Sequence, residues 1–162
     1  MSTDTDPSIQ LRAIGTVRCT RQEMVDDDWE RERARIELDP ARFTAEALLG
    51  VDAFSHVEIL FYLHGVDAAR LETGARHPRN NPDWPRVGIF AQRAKNRPNC
   101  IGAAVCRVLA IDGLTLRLRD LDAIDGTPVL DIKPWLGGFA PKGAVYEPRW
   151  SVELMAHYWR RD

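Results

Sequence analysis

Val57-Glu58-Ile59-Leu60-Phe61-Tyr62-Leu63 is β-branched, aromatic and nearly all apolar, the strongest strand signal in the chain. Working outward, other segments carry a two-residue period. Ala34-Arg35-Ile36-Glu37-Leu38 alternates cleanly and reads as a strand with one wet face, stopped by Asp39-Pro40. A first strand is expected over residues 9–17. Val87-Gly88-Ile89-Phe90-Ala91 restarts the sheet after the central strand, and residues 101–111 continue it. Asp112-Gly113 is a hairpin turn into Leu114-Thr115-Leu116-Arg117-Leu118-Arg119, and Val129-Leu130-Asp131-Ile132 is a last short strand. Residues 44–49 suggest a short helical turn ended by Gly50. Ser151 is placed to cap a closing helix over 152–159, with Leu154, Met155, Tyr158 and Trp159 on one side. Residues 65–85 are polar and rich in Pro, Asn and Arg, which reads as a long loop. The fold class is therefore mainly β, a barrel or a sandwich. No G-x-G-x-x-G follows a strand and there is no P-loop, so a doubly wound nucleotide fold has no support.

The 162 residues suffice for one domain without staples. Residues 1–8 read as a disordered tail and 9–162 as a single domain. With 44% apolar and 28% charged residues the composition is that of a soluble globular protein. The polar, acidic Met1-Ser2-Thr3-Asp4-Thr5-Asp6-Pro7 is no secretory signal, and no apolar run approaches the roughly 20 residues of a membrane helix. Cys19, Cys100 and Cys106 form no disulfide framework, which suits a reducing compartment. A cytoplasmic protein with no membrane partner is the expectation.

Three segments are denser in polar residues than a barrel needs. Gln92-Arg93-Ala94-Lys95-Asn96-Arg97-Pro98-Asn99 holds three cations and a Pro-rigidified turn, suited to a carboxylate or phosphate. A solvated hairpin is the plain alternative. Asp120-Leu121-Asp122-Ala123-Ile124-Asp125-Gly126-Thr127-Pro128 contains a tight turn whose acidic side chain can cap backbone N–H groups, and Asp131–Lys133 reads as a surface pair. His56 and His64 would share a face of an unbroken strand; they serve structurally, or one lines a pocket, and no spacing supports a metal. The net charge of −2 gives no overall case for nucleic acid. Arg70, Arg76, His77, Arg79, Arg86, Arg93, Lys95 and Arg97 nevertheless cluster, while acids gather at Asp26-Asp27-Asp28, so a neutral total can hide a positive face.

Gly88-Ile89-Phe90-Ala91-Gln92-Arg93, Arg97-Pro98-Asn99-Cys100-Ile101-Gly102 and Asp125-Gly126-Thr127-Pro128-Val129-Leu130-Asp131-Ile132-Lys133-Pro134-Trp135 resemble the TsaA-like family. Ile14-Gly15-Thr16-Val17-Arg18 and Phe54-Ser55-His56 with His64 extend the match in the family's order. The family's best-known members are the TrmO-type tRNA N6-threonylcarbamoyladenosine methyltransferases. The resemblance implies a single small β-barrel that binds S-adenosylmethionine, transfers its methyl group to a modified adenosine beside a tRNA anticodon, and works as a homodimer. It further implies a short form without the C-terminal domain of the bacterial enzymes. By the same resemblance, His64, Gly65, Val66, Arg93, Arg97, Ala103, Leu121, Asp122, Ala123 and Ile124 contact the cofactor. Arg76, Arg79 and Lys95 are nominated for the substrate, and Asp125, ahead of Asp122 and Asp131, for the carboxylate that accepts a hydrogen bond from the adenine nitrogen. An S-adenosylmethionine-binding module without catalysis, and a methyltransferase acting on a small molecule or protein, are the alternatives.

Overall fold

The computed structural model describes residues 7–160. The predicted tail lies mostly outside them; Pro7 and Ser8 are exposed and belong to no element. Among the described residues eight strands form: β1 (Gly15–Arg18), β2 (Arg33–Leu38), β3 (His56–Tyr62), β4 (Ala75–Arg76), β5 (Val87–Gly88), β6 (Ile101–Asp112), β7 (Thr115–Arg119) and β8 (Pro128–Pro134). Six of them close into a barrel in the order β1-β2-β7-β6-β3-β8, every pairing antiparallel. The alternating side chains of these strands fill the interior: Val17, Ile36, Val57, Ile59, Leu116, Leu118 and Val129 are fully buried and Phe61 nearly so.

Several expectations from the sequence are corrected. The first strand begins at Gly15, not residue 9. Pairing with β2 starts at Gly15↔Leu38, so the alternation of residues 9–13 has no neighbouring strand to meet, and Ile9 and Leu11 stay exposed. Residues 87–91 do not rejoin the barrel. Val87–Gly88 pairs only with Ala75–Arg76 in a separate ribbon, and Ile89–Ala91 is a 3-10 turn. Residues 65–85 are accordingly not a plain loop: they hold β4 and 3-10 turns at Ala68–Arg70 and Pro78–Asn80. The side-chain amide of buried Gln92 staples the ribbon, donating to the carbonyls of Arg76 (3.2 Å) and Val87 (3.0 Å).

His64 lies beyond the end of β3, so it does not share a strand face with His56. The β6–β7 turn sits one residue later than expected: Asp112 pairs with Thr115, and Gly113, at φ 57°, turns the chain. The closing helix α1 (Arg149–Met155) starts earlier than predicted, with Pro148 at its N-cap. Ser151 instead lies inside the first turn and donates to Glu147 Oε2 and the Pro148 carbonyl.

Because the barrel is antiparallel throughout, the chain alternates ends. The β2–β3 and β6–β7 connections lie at one end. Connections 19–32, 63–100 and 120–127 all leave from the other. Gly15 sits where β1 meets both β2 and β8, and a Cβ there would stand 2.5 Å from the Glu37 carbonyl oxygen. Gly15→Ala should therefore cost about 1–3 kcal/mol, because the backbone on that side cannot move without opening the ladder. Denaturant unfolding measures this, and an unchanged midpoint would refute it.

Candidate functional site

The three long connections meet at that single barrel end. Asp125 Oδ1 accepts from the Cys19 N–H (3.1 Å), and the Asp125 N–H donates to the Arg21 carbonyl (2.8 Å), so segment 120–127 is tied to segment 19–32. The Cys19 thiol donates to the Ala123 carbonyl (3.4 Å). Gly65 packs so closely on Met24 and Ile124 that a Cβ would lie 3.0 Å from the Met24 sulfur. His64 stands beside Gly126. Arg93 reaches over β6 and donates to the Ala103 carbonyl (2.6 Å).

The nominated residues thus lie at one end, in distinct roles. Leu121 and Ala123 are buried in the core, so they can offer a ligand only their backbone. His64, Gly65 and Arg93 are exposed and Val66 is half-buried. Arg97 turns inward and donates to the Gln92 carbonyl (2.9 Å), holding the Arg-Pro-Asn turn. Asp125 is committed to the backbone of 19–21, with Arg18 at 4.0 Å. Asp131 and Lys133 pair at 2.7 Å on the surface.

The acidic segment folds onto the basic one. Arg79 grips Asp27 at 2.9 Å, and Lys95 meets Asp26 at 3.1 Å while donating to the Met24 carbonyl (3.4 Å). The hidden positive face is therefore partly neutralised by the chain's own carboxylates. Arg76 is half-buried in β4, whereas Arg70, Arg86 and Arg93 stay exposed. Arg21 stacks over Trp29 at 4.0 Å and donates to the Asp27 and Asp28 carbonyls, giving the acidic segment its shape.

Asp122 is the unusual group. Tyr158, returning from the C-terminal segment, donates to its Oδ2, while its buried Oδ1 accepts from no other residue. Burial pushes the carboxyl above the usual range, against the opposing pull of the Tyr158 hydrogen bond, its own backbone N–H and the Arg93 guanidinium. A buried carboxylate with one open oxygen is costly unless something donates to it. Among the described residues, the non-glycine residues with positive φ are Asp28, Arg79, Asn80, Cys100 and Asp120, all within these same three connections. Strained backbone of this kind concentrates where geometry serves a ligand. Burial raises the thiols of Cys19, Cys100 and Cys106, so none is a thiolate nucleophile at neutral pH. Among the described residues no group of three His, Cys, Asp or Glu could hold a metal ion, and no helix is long and apolar enough to cross a membrane.

Residues 19–139 match the tRNA-methyltransferase O N-terminal domain family. The chain belongs to this family. A human tRNA (adenine(37)-N6)-methyltransferase is 36% identical over 118 residues, which are 73% of this chain and 25% of that protein. The Escherichia coli (strain K12) protein of the same name is 41% identical over 96 residues, 57% of this chain and 40% of its own length. A probable S-adenosyl-L-methionine-binding protein of Methanothermobacter thermautotrophicus is 34% identical over 134 residues, 80% of this chain and 92% of that protein. A crystal structure of TrmO from Pseudomonas aeruginosa superposes with a TM-score of 0.69 at 32% identity, over 86% of this chain and 61% of that one. The chain thus spans less than half the length of the human and Escherichia coli relatives.

Two features of this family member escaped the reading of its sequence. The acidic residues 26–28 show nothing in the sequence of their pairing with the basic segment, and Tyr158 reads there as one more apolar residue of a closing helix. The local signal is compositional, Trp29 and Glu30 following the three acids. The raised Asp122 carboxyl also has a consequence for stability. Its folded-state pKa lies above the unfolded one, so the folded chain holds the proton more tightly, and stability falls as pH rises from about 4 through the folded value. Asp122→Asn should raise the thermal midpoint at pH 7, with the gain fading below about pH 4. A gain independent of pH, or none, would show that the buried charge carries no such cost.

Proposed function

We propose that this chain binds S-adenosylmethionine at the end of the barrel where the three connections meet, and transfers its methyl group to N6 of threonylcarbamoyladenosine beside the anticodon of tRNA. The observation that carries this reading is the half-satisfied Asp122 carboxylate, set among the segments that the family resemblance nominates for the cofactor. An acceptor oxygen inside a polar, strained cradle fits the hydroxyl and amino groups of a nucleoside.

When bound, S-adenosylmethionine supplies a methyl carbon open to in-line displacement, with the sulfonium leaving as a neutral thioether. The chain's own part is positioning. Asp122 Oδ1 accepts a donor of the nucleoside. Gly65, having no side chain, leaves room for Met24 to pack on its backbone and so joins segment 19–32 to the end of β3. Arg93, exposed and anchored on Ala103, contacts the cofactor with His64 and Val66 beside it. Asp125 shapes the site through the 19–21 backbone, and Arg97 through the Arg-Pro-Asn turn. Arg76, Arg79 and Lys95 line the substrate side, and because Arg79 and Lys95 are paired with Asp27 and Asp26, the phosphate contacts fall to exposed Arg70 and Arg86.

A homodimer is supported by Tyr62, Ile101 and Val105, which expose 44%, 40% and 43% of their surface on the outer face of β3 and β6. A cytoplasmic location follows from a tRNA substrate. One specific observation favours a second reading, binding without catalysis: the relative that this chain covers almost completely is named a probable S-adenosyl-L-methionine-binding protein.

Calorimetric titration with S-adenosylmethionine, followed by transfer of labelled methyl to tRNA at increasing salt, tests both. The expected results are binding that Arg93→Ala abolishes, and a transfer rate that drops steeply with salt. Binding with no transfer to any tRNA would leave the binding module standing. No heat with the unaltered chain would defeat both readings.

A further inference from the structure

The family match ends at residue 139, yet the chain runs on and returns to the same barrel end. Helix α1 and the turn that follows form a strap across it. The Trp84 indole donates to Glu153 Oε2 (2.9 Å), and the backbone N–H groups of Asp28 and Trp29 donate to the carbonyls of His157 (3.1 Å) and Tyr158 (3.0 Å). Arg160 closes the strap on Asp28 at 3.3 Å. All four contacts join the strap to connections 19–32 and 63–100, and together they deliver the half-buried Tyr158 to Asp122.

Tyr158 does not complete the coordination of Asp122. Its single O–H satisfies Oδ2 and leaves the buried Oδ1 open. If the strap served stability alone, an apolar side chain over this position would be the cheaper solution, because a buried carboxylate with a vacant oxygen keeps its desolvation cost. We propose that Tyr158 is a positioning residue of the cofactor site: it locks the Asp122 carboxylate through Oδ2 so that Oδ1 is presented to a hydroxyl or N–H donor of the bound nucleoside. This rests on the reading that S-adenosylmethionine binds at this end. The charged and titratable groups around the pair are the Arg93 guanidinium from the 63–100 connection, Asp26 from the 19–32 connection and the Cys106 thiol from β6. Burial raises the Tyr158 phenol, with the Asp122 charge adding to it, so the phenol stays protonated as a donor throughout the neutral range.

The test is a double-mutant cycle on the full chain, with S-adenosylmethionine titrated from about pH 4, the ordinary carboxylate value, to about pH 8.5 into the unaltered protein, Tyr158→Phe, Asp122→Asn and the double variant. Tyr158→Phe keeps the ring and removes only the O–H. It should weaken binding by about tenfold to a hundredfold, the usual worth of a hydrogen bond to a charged group. It should also shift the acid limb of the binding curve to higher pH, because Asp122 without its donor protonates more readily. In the Asp122→Asn background the same change should add almost nothing and shift no limb. Tyr158→Phe binding with unaltered affinity and pH profile would overturn the proposal while leaving the cofactor reading intact. A loss independent of pH and equally large in both backgrounds would overturn it too, reducing Tyr158 to a part of the strap. An unaltered chain that binds no S-adenosylmethionine would instead bring down the reading on which it rests.

Discussion

Everything in this molecule depends on one closure, the pairing of β1 with β8 through Gly15↔Val129 and Thr16↔Pro128. Without it the sheet β1-β2-β7-β6-β3-β8 would have two open edges, and the apolar faces of all six strands would lack a common interior. With it, no backbone edge remains exposed around the ring, and alternate side chains of every strand point inward. Closure also demands a residue without a side chain where β1 is pinched between its neighbours, which is why Gly15 stands there. An antiparallel ring then sorts the connections by end. One end carries the two-residue β6–β7 turn and the compact 3-10 turns of residues 39–55; the other gathers the three segments that hold the strained backbone and the Asp122 carboxylate.

At that crowded end electrostatics decides which groups are available. Asp26 and Asp27 are spent on Lys95 and Arg79, Asp125 on the backbone of the neighbouring connection, and Arg97 on its own turn. These contacts fix the shape of the cradle and withdraw their charges from any ligand. Asp122 keeps an acceptor vacant in a buried position, and Arg93 keeps its guanidinium in solvent while anchored at the Ala103 carbonyl. Free energy spent on a desolvated carboxylate and on left-handed backbone at non-glycine residues has no return in stability. Such expenditure is the physical mark of a site shaped for binding.

Much of the barrel could be read from side-chain periodicity, because an alternating segment such as residues 34–38 already states which face is buried. The same logic misread residues 9–13 and 87–91. Their alternation or apolar character is real, but a strand needs a partner with free backbone groups, and the barrel had none left to offer them. The candidate site was readable where it rests on short motifs, the Arg-Pro-Asn turn and the Asp-Gly-Thr-Pro turn, since Pro and Gly dictate backbone geometry locally. The distinction between Asp122 and Asp125 was not readable, for both are carboxylates in one turn and differ only in what approaches them from elsewhere.

The contacts that make that difference join residues far apart along the chain: Cys19 with Asp125 across 106 positions, Lys95 with Asp26 across 69, Arg79 with Asp27 across 52 and Tyr158 with Asp122 across 36. Composition, period and motif order were enough for a mainly β domain, its family and the three polar segments, because those are properties of neighbouring residues. Strand partners, the neutralisation of the basic segment and the return of Tyr158 to a buried carboxylate belong to the tertiary structure alone. They follow from where ring closure brings the connections, and no residue's immediate neighbours record that.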